Sequence, residues 1–190
     1  FIFVTVLISI PYSPKYVHAL EGPVNQTDLP GLDTFIEQVR NDQAGQLRGV
    51  YIPGILAAPV VQQPNGMNGF VSPRQNVLTQ FGLASKQGST GLLAHNYLAG
   101  KAFGLLQSGQ EIELIDGSGK ISTFIVTGTL RYRAVEPWSN LSRFIDLKDL
   151  TSISAADLFV KIYRRPGRLI LQTCIQAGDD PSWGRLFVIA

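Results

Sequence analysis

The sequence has few of the residues that form covalent cross-links and metal sites. Among its 190 residues, only Cys174 is a cysteine and only His18 and His95 are histidines. An intramolecular disulfide needs two cysteines, so the chain cannot contain one. Zinc sites draw their ligands mainly from Cys and His, and this chain offers too few of them. The single thiol can therefore pack in the core, react as a nucleophile, or pair with a cysteine of another chain.

Other ligand-binding patterns are missing as well. The carboxylates, including Asp179 and Asp180, do not follow the spacing of an EF-hand calcium loop. No glycine-rich phosphate loop follows a predicted strand, so a nucleotide cofactor has no support. Charged residues make up 16% of the chain and the net charge is +2, which is too small to indicate nucleic acid binding. We therefore expect no metal, no cofactor and no nucleic acid partner.

The composition is that of one globular domain. Hydrophobic residues make up 45% of the sequence, which excludes global disorder. A chain of this length is large enough to bury a single substantial core.

The N-terminal segment, residues 1–19, indicates export. Phe1 to Ile10 are apolar apart from two hydroxyl residues, and Pro11 and Pro14 follow. An apolar run of about 7 to 15 residues is typical of a secretory signal, whereas a membrane-spanning helix needs about 18 or more. The prolines disfavour the alternative of a buried strand. Since no initiating methionine is present, we expect a truncated signal-like or membrane-proximal segment, either cleaved or anchoring. His18 lies in it and is assigned no chemistry.

The sequence pattern changes between the two segments that follow residue 19. Residues 20–47 are predicted to form a helical lead-in, because Leu32, Phe35, Ile36 and Val39 fall at helical spacing. Residues 48–190 contain short β-rich runs separated by Gly, Pro and Asn, which predicts a mainly antiparallel barrel or sandwich. The predicted strands are residues 50–52, 59–61, 91–94, 111–115, 121–127, 130–134, 169–173 and 186–189. Residues 116–119, Asp-Gly-Ser-Gly, predict a hairpin connection between two of them.

One long connection, residues 135–166, interrupts this pattern. It contains a predicted helix with Ser154 as its N-cap and Asp157 in its first turn. Connections of this length are usually functional or disordered. The alternative is a rigid lid without a ligand role, packed by the apolar side chains of Leu141, Phe144, Ile145, Leu147 and Leu150.

Three residues are candidates for chemistry. Cys174 closes the apolar run 169–173, His95 ends the apolar run 91–94, and Arg185 precedes the strand 186–189. A thiolate with a neighbouring imidazole or cation is an effective nucleophile, and residues at a strand end are accessible at a barrel rim. The alternatives are a packed core cysteine and a surface histidine and arginine.

Taken together, these segments resemble the sortase family of cysteine transpeptidases. The family pattern is a histidine ending one strand, a Thr-Leu-x-Thr-Cys run ending another, and an arginine opening the next. Here His95, Leu171-Gln172-Thr173-Cys174 and Arg185 occupy those positions, while Ile170 stands where the family often shows threonine. The resemblance extends over about residues 50–190.

The resemblance implies a closed barrel of eight strands and a definite activity. Cys174 would attack a peptide carbonyl, His95 would protonate the leaving amine, and Arg185 would hold the substrate and the developing oxyanion. Thr173 would border the substrate groove, and the 135–166 connection would wall it. Asn96 is a further candidate, for orienting His95 or contacting the substrate.

The implied partners are a surface-protein sorting-signal peptide and an amine acceptor on the cell envelope or on a protein. The expected location is the cell envelope or the extracellular space, with possible membrane association through residues 1–19. Two alternatives stay open: a thiol protease that uses water as the acceptor, and a catalytically silent binding module with the same fold.

Overall fold

The computed structural model of the chain describes residues 29–139 and 141–190. The predicted signal-like segment 1–19, including His18, lies outside the described residues, so that prediction stays untested. The described residues are mainly β, as predicted. None of their helices is long and apolar enough to cross a membrane.

All eight predicted strands are present, and three short ones join them. The strands are β1 (Leu47–Ile52), β2 (Leu56–Gln62), β3 (Leu78–Gln80), β4 (Thr90–Leu93), β5 (Glu111–Asp116), β6 (Ile121–Ile125), β7 (Gly128–Ala134), β8 (Arg143–Asp146), β9 (Ser152–Ser154), β10 (Leu169–Ala177) and β11 (Asp180–Ile189). The helices are α1 (Leu32–Val39), α2 (Gly82–Ser85), α3 (Ala155–Tyr163) and a 3-10 helix at Ala99–Leu105.

The strands form one sheet in the order β6-β5-β1-β2-β3-β4-β10-β11-β7-β8-β9. The expected closed barrel of eight strands therefore needs correction in two respects: the sheet has eleven strands, and within the described residues hydrogen bonds do not close it. The added strands β3, β8 and β9 have three or four residues each. Such short segments carry too little alternation to be recognised from sequence.

The sheet curls around one core although its edges do not pair. Residues from distant strands, among them Val50 on β1, Ile112 on β5, Leu171 on β10 and Val188 on β11, share a single buried cluster. Phe103 of the 3-10 helix is fully buried in the same cluster. We call the side of the sheet that faces this cluster the inner face.

The opposite side, the outer face, is covered by α3. Leu158 and Ile162 of α3 pack with Tyr132, Ile170 and Phe187 of β7, β10 and β11. Helix α3 begins as predicted: the backbone N–H of Asp157 donates to Ser154 Oγ at 3.1 Å, which satisfies one free donor of the first turn.

The 135–166 connection is thus largely structured, since it contains β8, β9 and α3. The expectation of a lid packed by five apolar side chains is correct only in part. Phe144 is buried, whereas Leu141 and Leu150 are 83% and 74% exposed and Leu147 is also exposed. The helix packs on the sheet through its own apolar side chains instead.

Helix α1 occupies the segment with helical spacing. Its buried residues, Phe35 and Val39, pack with Ala57 of β2 and Ile115 of β5. This helix therefore covers the part of the sheet farthest from α3 in the strand order.

The predicted hairpin at residues 116–119 connects β5 and β6, and Asp116 organises it. One carboxylate oxygen accepts hydrogen bonds from the N–H groups of Ser118 and Lys120 and from the Ser118 hydroxyl, at 2.6 to 2.9 Å. The other accepts from Gly45 N–H at 2.8 Å. The Ser118 hydroxyl, followed by Gly45 N–H, lowers the pKa of Asp116 to about 2.

We expect Asp116→Asn to destabilise the fold at neutral pH but not in acid. An aspartate pKa is about 3.9 in an unfolded chain. Because the folded value is lower, the stabilisation is present above about pH 4 and is lost as the pH falls towards 2. Urea denaturation of the wild-type and variant proteins at pH 7 and pH 2 measures the difference in their free energies of unfolding. This difference should disappear in acid. A difference of equal size at both pH values would contradict this account.

Candidate active site

The strand register brings the three candidate residues side by side. Cys174 on β10 and Arg185 on β11 are direct antiparallel partners. Strand β4 pairs with β10 in parallel, and Leu93 lies opposite Gln172. Beyond that pair, the Ala94 N–H donates to the Gln172 carbonyl at 3.2 Å, and His95 follows in the turn after β4. Cys174 therefore has Arg185 beside it on one side and the turn that carries His95 on the other.

The side chains of Cys174 and Arg185 also share one face of the sheet. Successive residues of a strand point to opposite faces, and Ile170 and Phe187 belong to the outer cluster under α3. Cys174 is four residues from Ile170 and Arg185 is two from Phe187, so both lie on the outer face. Cys174 is half-buried.

The expectation that the thiol ends a strand is wrong. Strand β10 continues to Ala177 and β11 begins at Asp180, so Cys174 and Arg185 lie within a longer hairpin. The connection is Gly178-Asp179, with Gly178 at φ +56°. Two-residue connections containing glycine suit tight hairpins. The polar residues here suggest a loop in the sequence, but pairing with the neighbouring strand extends the sheet through them.

Arg185 is held in place by backbone carbonyls. Its Nη1 donates to the carbonyls of Ser182 and Gly184, each at 2.8 Å, and its Nη2 donates to the carbonyl of Pro137 at 3.2 Å. The guanidinium carbon lies 6.0 Å from the centre of the Phe144 ring. Within residues 29–139 and 141–190 no carboxylate forms a salt bridge with it. The positive charge beside Cys174 is therefore oriented but not neutralised.

His95 lies in a turn that is tied to the β10–β11 hairpin. Its imidazole stacks on the Tyr97 ring, with 5.1 Å between centroids and 20° between planes. Asn96, the next residue, donates from its Nδ2 to the carbonyl of Pro181 at 3.0 Å. This bond links the residue after His95 to the start of β11, and so holds the histidine turn against the strand that carries Arg185.

Thr173 faces the inner side, away from the thiol. It is only 5% exposed, and its Oγ1 has no hydrogen-bond partner in the described part of the chain. Thr173, Asn96 and Cys174 line a depression of about 190 Å³ together with Lys101 and Arg131.

Gly100 allows the close packing behind the histidine turn. A Cβ at this position would lie 2.7 Å and 2.9 Å from the carbonyl oxygens of His95 and Ala94, and would also contact Thr173 Oγ1. Contacts this short force neighbouring atoms to move. Glycine is therefore the residue that lets the 3-10 helix approach both the histidine turn and β10.

We expect Gly100→Ala to destabilise the protein by about 1 to 3 kcal/mol, as overpacking commonly does, and to displace His95. Gly104→Ala is the matched control, because it lies in the same 3-10 helix and a Cβ there would meet nothing within 4 Å. Urea denaturation of the two variants measures the effect. Equal stability of the two would show that the packing at Gly100 is not tight.

An aromatic pocket that the sequence analysis missed lies beside Cys174 and Arg185 on the outer face. Its volume is about 140 Å³. The lining residues, which come from β8, α3, β10, β11 and the position before α2, are Phe81, Phe144, Ala155, Leu158, Phe159, Tyr163, Gln172, Arg185 and Phe187. The one sequence signal was Gln172, a long polar residue within an otherwise apolar strand.

The described residues show no grouping of three His, Cys, Asp or Glu side chains that could hold a metal ion. The chemistry available at the site is that of a thiol, an imidazole and a guanidinium. A thiolate attacks carbonyl carbon, an imidazole moves a proton, and a fixed cation stabilises a developing oxyanion. The arrangement is suited to acyl transfer.

No family model and no curated protein matches the sequence. Solved structures do match the fold. Sortase C1 of Streptococcus suis superposes with a TM-score of 0.51 at 15% sequence identity, over 83% of this chain and 75% of that one. Sortase C of Clostridium perfringens matches with a TM-score of 0.45 at 13% identity over 86% and 91% of the two chains. Sortase C-1 of Actinomyces oris matches with a TM-score of 0.46 at 14% identity over 88% and 83%. The chain has the sortase fold.

Proposed function

We propose that this protein is a cysteine transpeptidase that cleaves a sorting signal of a surface protein and transfers the acyl group to an amine. The observation that supports it most is the strand register, which pairs Cys174 with Arg185 across β10 and β11 and brings the turn after β4, which carries His95, to the other side of β10. This arrangement brings together three segments that are distant in sequence. Because it occurs in a sortase fold, it supports a shared catalytic role for the three residues.

In the proposed first half-reaction, the Cys174 thiolate attacks the scissile carbonyl carbon and forms a tetrahedral oxyanion. The oriented charge of Arg185 stabilises this oxyanion. His95 protonates the departing amine nitrogen, the carbon–nitrogen bond breaks, and a thioester on Cys174 results.

In the second half-reaction an acceptor amine attacks the thioester carbonyl. His95 takes a proton from the amine, the carbon–sulfur bond breaks, and a new amide leaves the thiolate free. Water in place of the amine would give a carboxylic acid and make the protein a thiol protease. The two reactions differ only in the acceptor.

The aromatic pocket supports binding of a peptide on the outer face. It is walled by α3 from the 135–166 connection, and its lining includes Arg185, the strand partner of Cys174. An extended peptide laid along this face would place its scissile carbonyl at the thiol and one side chain in the pocket. The apolar run Phe1 to Ile10 supports export, so that the substrates would be proteins of the cell envelope or cell surface.

Peptides carrying different sorting signals, incubated with and without an amine acceptor and analysed by mass spectrometry, test the proposal. An amide joining the peptide to the amine supports a transpeptidase. A cleaved acid that is unaffected by the amine identifies a thiol protease. No product, together with peptide binding, identifies a silent binding module and overturns the proposal. Cys174→Ala is the control for cleavage by a contaminant.

A further inference from the structure

Gln172 is the one amide side chain in the lining of the aromatic pocket. It lies on β10 between Ile170 and Cys174, on the outer face, and its side chain is partly buried. Five aromatic rings and two aliphatic side chains form the rest of the lining with Arg185. A polar group in such surroundings prefers to be hydrogen-bonded, since an unpaired one is costly.

Tyr163 holds one end of this amide. Its hydroxyl donates to Gln172 Oε1, and Tyr163 itself is only 2% exposed. Burial raises the pKa of Tyr163 far above its usual value, so the hydroxyl stays protonated and remains a donor. The Gln172 carbonyl oxygen is therefore occupied, and the amide is fixed in one orientation.

The other end of the amide is free. Within the described part of the chain, Gln172 Nε2 donates to no protein group, and it is not among the buried atoms that lack a partner. Its two N–H groups are thus accessible from the pocket. A ligand side chain that enters the pocket meets fixed hydrogen-bond donors among aromatic walls.

The pocket residue Gln172 lies at a defined distance from the proposed nucleophile, Cys174. Residues i and i+2 of a strand are about 7 Å apart, so Gln172 lies about that far from Cys174. An extended peptide advances about 3.3 to 3.6 Å per residue. The pocket therefore receives a side chain about two residues from the scissile carbonyl.

We propose that Gln172, positioned by Tyr163, determines substrate specificity by selecting a peptide side chain with an apolar stem and a terminal carbonyl oxygen, that is, glutamine or glutamate. This inference rests on the proposed function for the location of the scissile bond. The stem packs against the aromatic rings, and the oxygen accepts from Gln172 Nε2. A leucine of similar size leaves those donors unpaired, and a lysine opposes them with further donors near Arg185.

The cost of leaving such donors unpaired corresponds to about a ten- to hundredfold preference. A positional library of acetylated heptapeptide amides, with Gln, Glu, Leu, Met or Lys at one position and mixtures elsewhere, measures it. Two readouts are used: kcat/KM for cleavage by the wild-type protein, and Kd for binding to the Cys174→Ala protein. One position should favour Gln and Glu over Leu and Lys in both readouts.

Three variants test the role of the amide. Gln172→Leu should remove the preference and favour Leu. Gln172→Glu keeps the shape of the side chain and the acceptor for Tyr163 but replaces the two donors with an acceptor. Peptides with Lys at the selected position should therefore be cleaved and bound better by this variant, and peptides with Glu worse. Tyr163→Phe should weaken the preference, mainly through KM, because the amide becomes free to turn. Gln176→Leu is the matched control on the same strand, outside the pocket, and should leave the preference unchanged.

The outcomes separate the two proposals. Cleavage without a preference for Gln or Glu, or an unaltered preference in Gln172→Glu, overturns the role of Gln172 and leaves the transpeptidase intact. A preference in binding that follows the Gln172 variants, with no cleavage of any peptide, overturns the transpeptidase and leaves the pocket assignment intact. A preference for Lys in the wild type would show that the amide presents its oxygen to the pocket.

Discussion

Cys174→Ala should abolish thioester formation and transpeptidation, with a loss of turnover on the order of 10⁴-fold or more, as for the removal of other enzymatic nucleophiles. The side chain is half-buried and outside the two main clusters. Removing its sulfur therefore leaves no large core cavity, and stability should change by no more than about 1 kcal/mol. The measurement is turnover of a cleavable sorting peptide, with circular dichroism as the folding control.

Cys174→Ser sharpens this test because it retains a polar atom at the same place. A hydroxyl ionises far less readily than a thiol, so the serine variant should be nearly as inactive as the alanine variant. As Cys174 is the only cysteine, a thiol-specific label should react once with the wild-type protein and not with either variant. Wild-type turnover by folded Cys174→Ala would leave the proposed mechanism without its nucleophile.

Arg185→Lys should lower kcat by about 10²- to 10³-fold, the usual loss on removing an oxyanion donor, although it keeps the charge. The guanidinium uses both Nη atoms, one on the carbonyls of Ser182 and Gly184 and the other on that of Pro137. Lysine carries one ammonium on a flexible stem and cannot span these positions. The charge then moves away from the level of Cys174, where the oxyanion develops.

Arg133→Lys is the control for this variant. Arg133 lies on the neighbouring strand β7, next to Tyr132, whose side chain belongs to the outer cluster, so Arg133 points to the opposite face. The same change there should leave kcat within about twofold of the wild type, because it touches neither the thiol nor the aromatic pocket. Steady-state kinetics on one sorting peptide compares the two variants, and equal losses in both would contradict a specific role for Arg185.

Local patterns in the sequence predicted much of the fold. The alternating and apolar runs identified eight of the eleven strands, helical spacing identified α1, and the pairing of Ser154 with Asp157 identified the start of α3. These features depend on interactions within a few residues, so they are visible in the sequence. The strands β3, β8 and β9 were missed because their short segments are held by pairing with neighbours rather than by their own pattern.

The sequence by itself determined the chemical groups of the site: one thiol, one histidine beside the predicted strands, and an arginine eleven residues beyond the thiol. Only the tertiary structure decided how they meet. The parallel pairing of β4 with β10 joins segments about eighty residues apart, and no local pattern encodes that register. The aromatic pocket likewise combines α2-adjacent Phe81, β8, α3, β10 and β11. The pocket forms because residues that are distant in the sequence pack together. In the sequence, none of them differs from an ordinary core or strand residue.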